Sequence, residues 1–153
     1  MIDLKSEQAA AELALALEWG YVDLACVIDW ADSTIVSSKT PDLRLFDLSL
    51  AGSPLDALSV LRDISINVDK WKTLSRFLRR FETVSIMSPQ EASKLAERLY
   101  KYTAFEDTPD QFRVFSSHWD KIDLAIDGVF QDVENCVQCF LDDIHHAALP
   151  TRY

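Results

Sequence analysis

Apolar residues recur at steps of three and four along most of this chain, the spacing of one face of an α-helix. The stretch 68–86, VDKWKTLSRFLRRFETVSI, shows the pattern most sharply. Trp71, Leu74, Leu78, Phe81 and Val84 fall on one side of such a helix, while Lys72, Arg76, Arg79 and Arg80 fall largely on another. Similar stripes predict a first helix over 6–19, apolar nearly all round and therefore well buried. A second is expected over 22–37 with Leu24, Val27, Ile28, Ala31 and Ile35 inward, and a fourth over 54–65 with Leu55, Leu58, Leu61 and Ile64 inward. A sixth covers 89–102, with Ala92, Leu95, Leu99 and Tyr102 inward. The third, 41–51, is ambiguous, because Phe46, Leu48 and Leu50 also alternate as a strand would; the flanking cap and glycine favour helix.

From Phe112 through Phe115, Trp119, Ile122, Ile126, Val129, Val133, Val137 and Phe140 to Ile144 the apolar line keeps its steps unbroken. This is either one helix over 109–147 or two that break near Gly128; average helix length favours the break. The last residues, 149–153, are expected to be loose.

Prolines and glycines supply the punctuation. Thr40-Pro41, Ser53-Pro54, Ser88-Pro89 and Thr108-Pro109 each read as an N-cap followed by proline at the first helical position, where its missing N–H costs nothing. Glu91 and Gln111 sit where the last two pairs complete capping boxes. Gly20 and Gly52 read as the residue just past a helix end. Connections are short and no repeat or linker interrupts the chain, so the expectation is all-α: a single domain, 1–153, of seven or eight helices packed as antiparallel hairpins, in an irregular bundle or short stack.

Composition fits this picture. Only 3 of the 153 residues are glycine, few for a sheet protein with many tight turns. Charge adds something new. The net charge of −10 is unevenly placed: 1–61 carry ten acids and three bases, 62–101 nine bases and five acids, and 102–153 ten acids and three bases. An acidic chain of this kind repels nucleic acid and anionic membranes and attracts basic partners. No apolar run is long enough to span a membrane, and Glu12 and Glu18 rule out a secretory signal in the first helix. Three cysteines, an odd number, fit a reducing cytoplasm.

Asp120, Asp123, Asp127 and Glu134 lie at steps of three, four and seven beside the last apolar line. Like charges along one face repel one another, and a cationic partner relieves the repulsion, so these four are the candidate partner-binding residues. An exposed solubilising face is the plainer account. The basic residues of 68–86, with Trp71 and Phe77 for stacking, are arranged as a phosphate-binding strip would be, but the acidity of the whole chain favours pairing with the protein's own acids.

Other chemistry is thinner. Cys136 and Cys139 form a CxxC, yet on an intact helix His146 lies about 10 Å further along the axis, too far to share one zinc ion. A redox CxxC belongs at a helix start, and this one is expected mid-helix, as buried thiol. Asp142-x-x-His145 and Asp143-x-x-His146 have the one-turn spacing of carboxylate-bridged two-metal bundles, but no second such motif exists; the remaining histidine is His118. Asp29 and Asp32 read as a solvated face. No catalytic residue, metal or cofactor is expected.

Trp30-Ala31-Asp32, in the run ALEWGYVDLACVIDWADSTI, and Asp47-Leu48-Ser49-Leu50, ahead of a capped helix, resemble small all-α bacterial proteins. Some of those are similar to immunity proteins of toxin systems. The likeness covers about the first 65 residues and carries no functional residue. It implies a cytoplasmic protein that binds rather than catalyses. The leading expectation is an acidic helical binder that covers the active cleft of a basic, toxin-like protein. Two others stand beside it: a metal-binding or hydrolytic helical bundle using the Asp142–His146 end with His118, and a homo-oligomer paired through an exposed apolar stripe.

Overall fold

The structure, a computed structural model, describes residues 2–129 and 132–148. Among them are eight α-helices and two 3-10 segments, and no strand. The helices are α1 (Leu4–Glu18), α2 (Leu24–Ser37), α3 (Leu43–Ser49), α4 (Pro54–Ile64), α5 (Lys70–Leu78), α6 (Pro89–Thr103), α7 (His118–Ile126) and α8 (Val133–Ala147). The 3-10 segments are Arg79–Phe81 and Asp110–Ser116. The chain is all-α, as its periodicity dictates. The 149–153 tail lies outside the described residues.

The helices gather into two compact units, Met1–Phe77 and Leu78–Tyr153; the division falls inside α5. In the first unit Ala10 and Ala14 of α1, Val27 and Ala31 of α2, Leu45 and Leu48 of α3, and Ala57, Leu61 and Ile64 of α4 form one buried cluster. Small alanines on α1 and α2 let helix axes approach closely, while the leucines of α3 and α4 fill the space between them. Leu55, expected inward, is exposed instead, and Ala57 takes the inner position one turn from Leu61. Trp30-Ala31-Asp32 and Asp47-Leu48-Ser49-Leu50 belong to this packing: Ala31 and Leu48 are both core, and the Ser49 hydroxyl donates to the Asp32 carboxylate. Those two motifs hold α2 against α3.

The caps show which short-range signals govern. Ser53 and Ser88 cap α4 and α6 through their hydroxyls, accepting the backbone N–H of Asp56 and of Glu91, each at 3.1 Å. Thr40 does not cap; the carboxylate of Asp42 does, accepting Arg44 N–H at 2.9 Å, so α3 starts two residues later than its proline suggests. Thr108 does not cap either. Its hydroxyl donates to the Thr103 carbonyl at 2.7 Å, and Pro109 leads into a 3-10 segment. Gly20 sits at φ +81, with Tyr21 N–H reaching the Ala16 carbonyl and Gly20 N–H the Leu17 carbonyl, the double closure of a Schellman motif. Gly52 is not in the left-handed region.

The basic helix is shorter than its periodicity. Residues 68–86 hold one helical run only to Leu78, then the 3-10 turn and a non-helical segment, 84–88. Leu74, Leu78 and Phe81 are buried as expected, but so is Phe77, whose ring meets Trp19 and Tyr21 edge-on at 5.1 and 5.5 Å. A buried Phe77 has no face to offer a base. Arg76 reaches Glu12 at 3.2 Å, so at this position the cation answers an acid of its own unit.

The long C-terminal line is broken into three. The 3-10 segment buries Phe112 and Phe115, α7 buries Ile122, and α8 buries Val137, Phe140 and Ile144. Between α7 and α8 the chain turns at Gly128, φ +74, with Val129 N–H on the Leu124 carbonyl and Gly128 N–H on the Ala125 carbonyl: a second Schellman closure. Asp132 then caps α8 by accepting Glu134 N–H at 3.0 Å. The turn spends part of the apolar run on solvent: Val129 is 72 % exposed, and Ala125 replaces Ile126 in the core.

Candidate functional site

The four acids expected to form one stripe are divided by the turn at Gly128. Asp120 lies in the first turn of α7, and Asp127 is its C-terminal cap residue. Asp123 is half-buried and accepts the hydroxyl of Ser93 on α6. Glu134 is in the first turn of α8, on a different helix from the other three. Glu134 therefore does not continue the helix of the other three, because the left-handed Gly128 ends α7 before it. Asp120, Asp127 and Glu134 are exposed, and none forms an ion pair with another described residue. In the first unit the carboxylates of Glu12, Glu18, Asp42 and Asp63 each meet an arginine.

Helix ends give these charges different costs. A carboxylate near a helix N-terminus is favoured by the dipole, and one at the C-terminus is disfavoured. Asp120 and Glu134 are on the favourable side; Asp127 stands at the negative end of α7 with no ion pair among the described residues.

Glu134 also borders an apolar groove of about 610 Å³ in the same unit. One wall is the non-helical segment carrying Ile86 and Met87; the other is the α8 face of Val133, Val137 and Leu141. Ile86 is 87 % exposed on its rim. This groove is invisible in the sequence, since its two walls are about fifty residues apart and meet only through packing.

The histidines form a different set from the one their spacing suggests. His118, the first residue of α7, meets Asp143 of α8 at 2.6 Å, its ring against Phe140 at 5.2 Å between centroids. His118 is 6 % exposed. His145 donates from Nε2 to the Phe81 carbonyl at 2.8 Å, closing α8 onto the 3-10 turn. His146 is exposed, and Asp142 accepts the Gln138 side-chain amide at 3.0 Å. The Asp142–His146 end thus sends its histidines in different directions, and among the described residues no three His, Cys, Asp or Glu side chains converge as metal ligands would. Cys136 is buried and Cys139 exposed, both as free thiols. Because α8 begins at Val133, Cys136 is the fourth residue of the helix and lies past its free N–H groups, its own N–H bonding the Asp132 carbonyl at 3.1 Å.

In the first unit, Asp42 is held by Arg44 through Nε at 3.0 Å and Nη2 at 2.9 Å. The guanidinium, with the Arg44 backbone N–H, pulls the Asp42 carboxyl down to about 2 from 3.8. The caps Asp3 and Asp23 shift the same way, through the backbone N–H of Ser6 and of Cys26. These are structural carboxylates at helix starts. No helix of the described residues is long and apolar enough to cross a membrane.

Set against family models, curated proteins and solved structures, the chain matches none, so its site is read from its own side chains.

Proposed function

We propose that this is an acidic helical binding protein whose partner is basic, of the kind that neutralises a toxin domain by covering its active cleft in the bacterial cytoplasm. One observation carries the reading: Asp127 stands exposed at the negative end of α7, and neither it nor the exposed Asp120 and Glu134 forms an ion pair among the described residues. A fold under selection for stability alone would place lysine or arginine at the end of α7. Opposite potentials speed encounter, and occlusion of a cleft asks for no chemistry from the protein that covers it. Asp123 contributes charge from a fixed position, tied to Ser93.

The test uses the neighbouring reading frame in the source genome. Its basic domain, produced alone, should arrest growth, and co-production of this chain should relieve the arrest. Replacing Asp120 and Asp127 by Asn and Glu134 by Gln should slow association in stopped-flow about tenfold at low salt and flatten its salt dependence. Association rates unchanged by the triple replacement, or a neighbour with no basic domain, would overturn the reading.

A further inference from the structure

The groove beside Glu134 is the least explained feature of the second unit. Its volume of about 610 Å³ lies in the range of sites that take ligand-sized side chains, and its lining is mainly apolar. Along the non-helical wall the backbone is unused. Val84 N–H bonds to Phe81 and Ala92 N–H to Ser88, but among the described residues no hydrogen bond involves the peptide groups of Ser85, Ile86 or Met87. Ser85 and Ile86 are exposed while Met87 is buried, so the open peptide groups are those of 85 and 86. Open peptide groups beside an apolar slot are what a bound polypeptide segment uses: main-chain hydrogen bonds to the edge, alternate side chains in the slot.

Charge selects among occupants. Glu134 lies in the groove lining, and Asp132, the α8 cap, is two residues away. Another copy of this chain carries −10 and would bring acid to acid. A basic segment finds a counter-charge at Glu134.

We infer that the groove between 85–88 and α8 docks an extended segment of a basic partner protein, with an apolar side chain seated between Ile86 and Val133 and a lysine or arginine on Glu134. This rests on the proposal that the partner is basic and adds where, and through which chemistry, that partner is gripped. The acids on α7 steer the encounter; the groove sets how long the complex lasts.

Three fluorescein-labelled hexapeptides are the probes, alternating lysine with leucine, glutamate with leucine, and lysine with serine, titrated against the full chain by anisotropy. The lysine–leucine peptide should bind at least about tenfold more tightly than either companion. Ile86→Asp and Glu134→Lys, both at exposed positions, should each weaken it by about tenfold or more, while Asp29→Asn with Asp47→Asn, at exposed acids of the first unit, should change the equilibrium constant by less than about threefold. On the unaltered protein, amide resonances of 85–88 and 133–141 should shift on titration. If lysine–serine binds as well as lysine–leucine and Ile86→Asp is silent, the groove is not the dock, though an acidic binding surface survives. If no lysine peptide binds at any salt concentration, both readings fall. Sedimentation showing a dimer that Ile86→Asp splits would make the groove a contact between copies and end the inference.

Discussion

At Asp42 a single carboxylate caps α3 and pairs with Arg44, and its side chain is 13 % exposed. Its folded pKa is about 2, below the ordinary 3.8. The direction fixes the sign: a depressed carboxyl stabilises the fold above the unfolded value, and the contribution disappears as pH falls through the folded one. Arg44 is more open to water, so the pair itself is screened and worth less than its geometry suggests. Asp42→Ala, which loses cap and pair, should cost about 1–2 kcal/mol at pH 7 in urea unfolding, and Asp42→Asn, which keeps a capping oxygen, about half that. Both differences should shrink between pH 4 and pH 2; a constant difference across that range would refute the linkage. His118 offers a sharper choice between neighbours. Asp143→Ala leaves a buried imidazole nitrogen without its partner and should cost about 1 kcal/mol, at the low end because water reaches Asp143, which is 40 % exposed. Asp142→Ala should move stability by less than about 0.5 kcal/mol, since among the described residues Asp142 meets only an exposed amide. Equal effects would mean that the 2.6 Å contact with His118 contributes nothing.

At the scale of the element, the turn at Gly128 separates two helices whose apolar periodicity runs straight through it. Steps of three and four state that each residue wants a helix; they do not state that the helices are continuous. The break was legible only as a lone glycine and an improbable length. Its consequence, that Asp127 ends one helix and Glu134 begins another, could not be read without it. Proline-based capping worked where serine preceded the proline, at Ser53 and Ser88, and failed where threonine did. Asp42 lies closer to the first free N–H groups of α3, and the Thr108 hydroxyl is already given to Thr103. The His118–Asp143 pair and the groove were beyond the sequence, because each joins residues at least 25 apart through packing that no local pattern encodes. The glycines offer a controlled comparison. A Cβ at either Gly128 or Gly52 meets nothing within 4 Å, so any difference is backbone conformation alone. Gly128→Ala should cost about 1–2 kcal/mol for its left-handed φ. Gly52→Ala should be neutral or stabilising by up to about 0.5 kcal/mol, by restricting the unfolded chain. Thermal melts of the two variants decide it, and similar losses at both would contradict the assignment of Gly128 as the helix stop.

Across the whole molecule, stability and recognition pull on the same carboxylates in different directions. The charge of −10 opposes compaction everywhere, but the helix ends decide what each acid costs locally. Asp127→Asn removes a negative charge from the negative end of α7 and should stabilise by about 0.5 kcal/mol. Asp120→Asn and Glu134→Gln each remove one from a favourable first turn and should destabilise by about as much. The triple variant loses three negative charges, so general repulsion falls, against local terms that sum to a net loss of about 0.5 kcal/mol. Its unfolding free energy should stay within about 1 kcal/mol of the unaltered protein's, while raising salt from about 20 mM to about 300 mM should stabilise it less, because screening has less repulsion to relieve. Urea unfolding at the two salt concentrations measures both quantities. A triple variant much less stable than its parent would mean that these acids serve the fold, and slower association could then be blamed on lost structure. A variant equally stable yet slow to associate separates the roles: the carboxylates are not needed to hold the helices together, and their placement answers to what the helices meet.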